Sequence, residues 1–310
     1  MTWALAPEVD RVVYAASTCS FERKAGEIER MRRSFASLRM TSRSVTASTL
    51  LMLGGSLIHG QTTYLGFDRN DYPGDANLTT LRQTFSYTGY WLNNPPGASS
   101  NSWAGHRAAV ESAGFGFLVL FNGRLYAQLK SEATAKRLGH SDAQAAVGSA
   151  RREGFPEKTI IFLDQEQGGR MLPEQKAYIY AWVDGITAAG FRAGIYCSGQ
   201  VSPDEEHVIT AVDIRQSAGS REITYWAIND ACPPSPGCTL SPHPPGPMHS
   251  GVSFAEVWQF AQSPQRKDLA AQCTNYSRDR NCYPPGTGAM QRLHIDVDSA
   301  TSPDPSHGRN

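Results

Sequence analysis

The chain has 310 residues, and its 29 Lys and Arg side chains balance its 29 Asp and Glu side chains. A formal net charge of zero gives no whole-chain attraction to nucleic acid or to an anionic membrane. Hydrophobic residues make up 40% of the chain and charged residues 19%, so the composition predicts a folded protein rather than a disordered one. This length fits one domain of about 250 residues or two smaller domains.

The first sixty residues differ in composition from the rest of the chain. They begin with a stretch rich in Arg, Glu and Ser, which predicts disorder. Arg43 then precedes an apolar run over Val45–Ile58 that ends in small residues. This pattern is typical of a secretory signal peptide and is too short and Gly-rich for a stable membrane span. We predict a disordered leader over 1–60 with a signal peptide at about 40–60, and a true start at Met31 or Met40. A buried helix of the folded domain is the alternative.

From Thr62 onward, short strand-like runs alternate with helical patterns. Eight runs have the length and apolar content of strands: Thr63–Phe67, Tyr87–Leu92, Phe115–Phe121, Thr159–Leu163, Ala193–Cys197, Glu222–Ile228, Phe254–Phe260 and Leu293–Val297. Helical patterns separate most of them: Leu78–Phe85, Trp103–Ala113, a region ending at Glu153, Pro173–Ala189 and Pro203–Val212.

This alternation predicts an α/β fold, a single (β/α)8 TIM-type barrel over residues 62–300. A doubly wound open sheet is the competing architecture. Loops rich in Pro or bracketed by Cys replace the helices after the sixth and seventh strands. We therefore expect the last units of the barrel to be somewhat degenerate, and residues 301–310 to form a disordered tail.

Four cysteines lie in these two loops. Cys232 and Cys238 bracket a Pro-rich turn, and Cys273 and Cys282 bracket a polar loop. Four cysteines allow three pairings, and we predict a local disulfide within each pair, which would suit an exported protein. The alternative is a zinc site of two cysteines and two histidines: Cys232, Cys238, His243 and His249. That set lacks the tight paired spacings of structural zinc sites.

Acidic side chains follow three of the predicted strands. Asp68 closes the first strand, Asp164 and Glu166 close the fourth, and Asp296 and Asp298 close the eighth. Active sites of such barrels lie at the C-terminal ends of the strands, and residues two apart share a face of a strand. We therefore expect the first four of these acids to face one mouth. Asp298 is expected to cap the following turn.

Such a cluster fits glycosidic bond cleavage. Carboxylates in one cleft repel each other and raise one another's pKa, which keeps one of them protonated. Cleavage needs one protonated carboxyl group to donate to the leaving oxygen and one carboxylate to stabilise or attack the oxocarbenium-like centre. For any single acidic residue after a strand, a helix cap or a loop salt bridge is the plainer explanation.

Six short motifs carry a resemblance to a known family. They are Gly66-Phe67-Asp68, Asp164-Gln165-Glu166, Gly194-Ile195-Tyr196, Tyr225-Trp226-Ala227, Trp258-Gln259-Phe260 and Ile295-Asp296-Val297-Asp298. Their order resembles that of glycoside hydrolase family 25 lysozymes. It is still more similar to the related glycoside hydrolase-like domain of unknown function, the 1906 family, in which Tyr-Pro-Gly, here Tyr72-Pro73-Gly74, follows the first motif.

The resemblance covers about Thr62 to Ala300 and implies a (β/α)8-type barrel, frequent export and a cell-wall or other polysaccharide substrate. It also implies that Glu166 is the acid and that Asp164 positions the substrate's acetamido group or stabilises charge. Asp68 and Asp296 would complete the acidic cleft. A chitinase-type site is disfavoured, since Phe162 stands where those enzymes carry a further Asp.

Aromatic side chains near strand ends are candidates for covering the apolar faces of sugar rings. The predicted substrate-binding residues are Trp91, Tyr196, Trp226 and Trp258. Core packing is the alternative for each of them. Gln259 alternates with Trp258, so only one of the two should face the mouth.

We therefore predict a secreted or cell-envelope, lysozyme-like glycoside hydrolase that cleaves peptidoglycan or a related polysaccharide by carboxylate acid/base catalysis. No cofactor and no metal are expected. The expected partner is the polysaccharide substrate, with no nucleic acid, and the protein is expected to be a monomer. The alternatives are a non-catalytic carbohydrate-binding protein on the same barrel and an unrelated barrel or open-sheet enzyme.

Overall fold

The computed structural model describes residues 62–203, 207–288 and 291–310. The predicted leader and its signal peptide lie outside these residues. Within them, eight strands alternate with helices and close into one barrel in which each strand pairs with its neighbours in sequence and β8 pairs with β1. This closure confirms the predicted α/β barrel and rules out the doubly wound open sheet.

The elements follow the predicted order, and most bounds shift by three residues or fewer, but the helix predicted over Pro203–Val212 is found at Thr210–Ser217. The strands are β1 Tyr64–Asp68, β2 Tyr87–Trp91, β3 Gly116–Asn122, β4 Ile160–Asp164, β5 Arg192–Ser198, β6 Ile223–Ile228, β7 Val257–Ala261 and β8 Asp296–Ala300. The α-helices are α1 Asp75–Arg82, α2 Arg107–Ser112, α3 Tyr126–Leu129, α4 Glu132–Glu153, α5 Pro173–Ala188 and α6 Thr210–Ser217. Among the described residues of the connections after β6 and β7, the helical segments are the short 3-10 turns Pro247–His249 and Lys267–Leu269. None of the helices in the described ranges is long and apolar enough to cross a membrane.

Alternation along β1 shows how the strands build two environments. Phe67 faces outward, and its ring packs edge-on against Phe85 and Phe115 at centroid distances of 5.0 and 6.1 Å. Gly66 faces the barrel axis, where a Cβ atom would overlap the ring of Tyr87. The absence of a side chain at Gly66 therefore lets an aromatic ring from β2 occupy the centre of the barrel.

The last strand departs from the predicted pattern. β8 begins three residues later than expected and pairs antiparallel with both β1 and β7. The connection after β7 stays at the mouth of the barrel, because an antiparallel neighbour needs no crossover helix. The beginning of β8 therefore lies at the mouth, where Asp296 pairs with Asp68 of β1.

The C-terminal tail is ordered, so the prediction of a disordered tail is wrong. Ser306 is fully buried, and its backbone N–H donates to the carbonyl of Phe117 while its carbonyl accepts from Ile160 N, both at 2.8 Å. Its Oγ accepts from Val119 N at 2.8 Å. β8 ends far from the mouth, so the tail satisfies backbone groups of β3 and β4 that burial would otherwise leave unpaired.

Two disulfides join the loops that follow β6 and β7. Cys232 pairs with Cys273 and Cys238 pairs with Cys282, with Cα atoms 5.2 and 5.5 Å apart. The predicted local pairs are therefore wrong, because barrel closure brings the two loops side by side. This pairing also uses the thiols that the zinc alternative requires. Among the described cysteines, Cys197 in β5 is a buried free thiol.

Peptide mapping under non-reducing conditions tests this connectivity. Trypsin cuts on both sides of the segment 222–266, which holds Cys232 and Cys238, and it separates Cys273 from Cys282. We expect one cross-linked species that joins segment 222–266 to both of the other cysteine peptides. In Cys232→Ser, the Cys273 peptide should be released and the Cys282 peptide should stay attached. A segment 222–266 that migrates alone would mean local pairing instead.

Candidate active site

A cavity of about 210 Å³ opens at the C-terminal ends of the parallel strands. The four predicted acids all line it: Asp68, Asp164, Glu166 and Asp296. Three of the predicted aromatic residues line it as well: Trp91, Tyr196 and Trp226. These residues lie in, or directly after, six different strands, and the barrel brings them together at one mouth.

The fourth predicted aromatic residue lies elsewhere. Trp258 is buried outside the cavity, and its indole Nε1 donates to the carbonyl of Asn229 at 2.9 Å. Gln259 lines the cavity in its place, and its Nε2 donates to Asp296 Oδ2 at 3.2 Å. One residue of this adjacent pair faces the mouth, as alternation requires, and it is the glutamine.

The Asp-Gln-Glu motif places two acids in different environments. Asp164 is the last residue of β4, only 6% exposed, and its Oδ1 has no hydrogen-bond partner in the described part of the chain. Glu166 lies in the loop after β4 and is exposed at the rim. Gln165 turns away from the cavity and donates its side-chain amide to the carbonyl of Gln167 at 3.3 Å. The motif therefore presents one buried and one accessible carboxyl group.

Burial raises the pKa of both acids. For Asp164 burial is the largest cause, and the negative charge of Glu166 raises its pKa further. For Glu166 burial raises the pKa. The charge effect within the pair thus acts on Asp164, whereas loss of solvent explains the raised pKa of Glu166. A carboxyl group that keeps its proton closer to neutral pH is suited to protonate a leaving group.

Asp296 is held in place at the opposite side of the mouth. It accepts hydrogen bonds from the backbone N–H of Ser263 and from Gln259. Burial raises its pKa most and the negative charge of Asp68 adds to this, while the Ser263 N–H and the positive charge of Arg69 lower it. These partners fix the orientation of the Asp296 carboxyl group.

Arg69 is the single arginine or lysine among the residues that line the cavity. Its Nε is buried and has no hydrogen-bond partner within the described ranges. Desolvation lowers its pKa, and the negative charges of Asp71 and Asp296 raise it. The mouth is therefore acidic overall, and one guanidinium group lies at its edge.

Aromatic rings form one wall of the cavity. The rings of Tyr196 and Trp226 meet edge to face at 4.6 Å between centroids. Trp226 is almost fully buried, whereas Tyr196 is half-buried and offers more of its ring to the mouth. Trp91 is fixed by a hydrogen bond of 3.1 Å from its Nε1 to the carbonyl of Arg69. Such a wall can cover the apolar face of a sugar ring.

Two residues of this region were missed in the sequence. Arg69 belongs to none of the sequence motifs, and only the structure shows that it lines the cavity beside the acids. Asp298 was predicted to cap a turn, and this prediction is wrong. It is fully buried in the barrel below Asp296. The two-residue spacing from Asp296 was the available signal, since it places both side chains on one face of β8. Among the described His, Cys, Asp and Glu residues, no group of three or more is arranged to hold a metal ion.

Comparison with known proteins gives one family match. Residues 86–234 match the model of the Rv2525c-like, glycoside hydrolase-like domain. A search of curated proteins found no match. Three similar solved structures illustrate the range of relatives.

An uncharacterized protein of B. stearothermophilus is 20% identical, with 76% of this chain and 95% of that chain covered and a TM-score of 0.49. The Tat-secreted protein Rv2525c of Mycobacterium tuberculosis, in complex with HEPES, is 13% identical over 78% and 96% of the two chains, with a TM-score of 0.45. GHIP, a glycosyl hydrolase 25 of Streptococcus pneumoniae, is 13% identical over 77% and 87%, with a TM-score of 0.47.

The raised pKa of Asp164 predicts a pH-dependent stability. Above the ordinary Asp pKa of about 3.9 in the unfolded chain, the folded protein still holds the proton, so the free energy of unfolding falls as pH rises toward the folded-state pKa. Asp164→Asn cannot ionise and should unfold with about 1 kcal/mol more free energy at neutral pH. Urea titrations from about pH 4 to pH 8 should show the gap to wild type widening.

Asp184→Asn is the matched control for this measurement. Asp184 lies on the surface, where its Oδ1 pairs with Arg221 Nε at 2.7 Å. Its substitution should not produce a stability gain that grows with pH. A constant difference between Asp164→Asn and wild type at every pH would contradict the assignment of a raised pKa to Asp164.

Proposed function

We propose that this protein, of which residues 86–234 match the model of the Rv2525c-like, glycoside hydrolase-like domain, cleaves peptidoglycan or a related N-acetylated polysaccharide. One observation carries the proposal. Carboxyl groups from the ends of β1 and β4 and the start of β8 converge in a single cavity that has an aromatic wall. Carboxyl groups gathered in one cavity repel each other, which lowers the stability of the fold. Such a cluster is expected where the acids take part in chemistry.

The two acids of the Asp-Gln-Glu motif divide the work of glycosidic cleavage. Glu166 is accessible at the rim and donates its proton to the glycosidic oxygen as the bond from that oxygen to the anomeric carbon breaks. Positive charge develops on the sugar ring, and the carboxylate of Asp164 stabilises it directly or through the acetamido group of the substrate. Water then adds to the anomeric carbon and its proton returns to a carboxylate of the site.

Other residues of the cavity hold the sugar. The ring of Tyr196 covers an apolar face of the substrate, and Asp68 and Asp296 accept hydrogen bonds from its hydroxyl groups. Burial raises the pKa of Tyr196, and the negative charge of Asp164 is the next cause, so its phenol stays a hydrogen-bond donor. This combination of stacking and polar contacts is typical of sugar binding sites.

Substitution of the motif acids tests the proposed roles. Glu166→Gln should lower the release of reducing ends from purified cell walls by about 10² to 10⁴, the usual contribution of general acid catalysis. Asp164→Asn should cost about a hundredfold or more, and neither variant should lose thermal stability. The measurement is reducing-end release, read by mass spectrometry, alongside glycan binding.

Glu157→Gln is the matched control, because Glu157 is an exposed glutamate just before β4, at the end of the barrel away from the mouth. It should keep wild-type activity. Activity that survives in Glu166→Gln would place the acid elsewhere. A wild-type protein that binds cell-wall glycan but releases no reducing ends would support the non-catalytic alternative.

Export of the protein is the second part of the proposal. The two disulfides suit an oxidising compartment, where such bonds form and persist. The apolar run that ends before Gln61 supplies a signal peptide. A polysaccharide of the cell envelope is then the substrate that the exported protein meets.

N-terminal sequencing of the protein from the extracellular fraction tests export. The mature chain should begin near Gln61, because cleavage follows the small residues at the end of the apolar run. Recovery of the protein only from the cytoplasm, with its leader intact, would contradict both the signal peptide and export.

A further inference from the structure

A buried acid below the cavity is not used by the proposed function. Asp298 is the third residue of β8 and is 0% exposed. Neither of its carboxyl oxygens receives a hydrogen bond from the described part of the chain. An ionised carboxylate without donors or a cation is one of the most costly groups to bury. Its surroundings must therefore explain how it is tolerated.

The strand register places Asp298 diagonally below Asp68. On β1, Asp298 pairs opposite Gly66, and Asp296 pairs opposite Asp68. Residues two apart share a face, so Asp68 and Asp298 both point toward the barrel axis from adjacent strands. The two side chains are close enough for the negative charge of Asp298 to raise the pKa of Asp68. The absence of a side chain on Gly66 keeps the space between them open to Tyr87.

Two carboxyl groups form a hydrogen bond only when one of them carries a proton. No Arg, Lys or His side chain within the described ranges forms an ion pair with either acid; the ion pairs of those residues lie elsewhere. The other charged groups that act on the pair, Asp164 from β4 and Asp296 from β8, are themselves acidic. These neighbouring charges oppose a second negative charge, and one proton stays on the pair.

The donors around the pair decide which acid carries that proton. The indole N–H of Trp226 is buried without a hydrogen-bond partner in the described part of the chain, and it lowers the pKa of Asp298 against the larger effect of burial. For Asp68, burial raises the pKa most and the negative charge of Asp298 raises it further. The phenol of Tyr87 is also close enough to both acids for their charges to raise its pKa, and its hydroxyl has no hydrogen-bond partner in the described chain. These two unpaired donors favour the negative charge on Asp298, which leaves the proton for Asp68.

We propose that Asp298 is a positioning residue that shares one proton with Asp68, so that Asp68 presents a neutral carboxylic acid to the mouth. The O–H of Asp68 points to Asp298, and its other oxygen is left as a fixed hydrogen-bond acceptor. The mouth then carries one negative charge fewer beside Asp164. Only the contact of Asp68 with a bound glycan rests on the proposed function; the shared proton does not.

Carbon-13 NMR of the full chain, without any glycan, tests the shared proton. The Cγ resonance of Asp68, assigned through its backbone, should lie at the position of a neutral acid at pH 7. In Asp298→Asn, the amide replaces a charge with a hydrogen-bond donor, so Asp68 should be ionised at pH 7. A merely structural role of Asp298 would change stability and leave the Asp68 resonance where it is.

Asp184→Asn, with its exposed carboxylate removed, should leave the Asp68 resonance unchanged. An Asp68 that is ionised at pH 7 in the wild type overturns the proposal, and this holds even if Asp298→Asn does not fold. An Asp68 that stays neutral in folded Asp298→Asn also overturns it. Loss of hydrolysis is measured separately with cell walls, so a failure of the proposed function would not be confused with either result.

Discussion

Closure of the barrel by an antiparallel β8 determines where the acidic side chains lie. A parallel eighth strand would also bring Asp296 to the mouth, but it would leave Asp298 beyond the end of the sheet. Because β8 starts at the mouth and runs inward, Asp298 enters the barrel centre and pairs opposite Gly66. The direction of β8 therefore places Asp296 at the mouth and Asp298 below it, inside the barrel.

The charged mouth depends on a rigid frame at both ends of the barrel. At the far end, the tail supplies backbone partners to β3 and β4 through Ser306. At the mouth, two disulfides tie together the loops on either side of β7. Uncompensated carboxyl groups destabilise a fold, so the neighbouring structure must hold them in place. The long loops that replace helices after β6 and β7 are the parts that need such ties.

A difference in burial, rather than residue type, separates the proposed roles of the acids. Asp164 is buried and lacks a partner for one oxygen, whereas Glu166 two residues later is exposed at the rim. Only the accessible acid can reach a leaving group and exchange its proton with solvent. Asp296 is held by Ser263 and Gln259, which suits a fixed contact with substrate. In the proposed function, these environments make Glu166 the proton donor, Asp164 the stabilising charge and Asp296 a contact for the substrate.

The sequence by itself determined the positions of the eight strands, the α/β barrel and the four acids at its mouth. These features follow from short-range patterns: apolar runs of strand length, helical periodicity, and acids placed where strands end. Only the tertiary structure decided the direction of β8, the disulfide pairing, the ordered tail, and the choice of Gln259 over Trp258. Each of these depends on contacts between segments far apart in the chain, and no local pattern specifies which distant segments will meet.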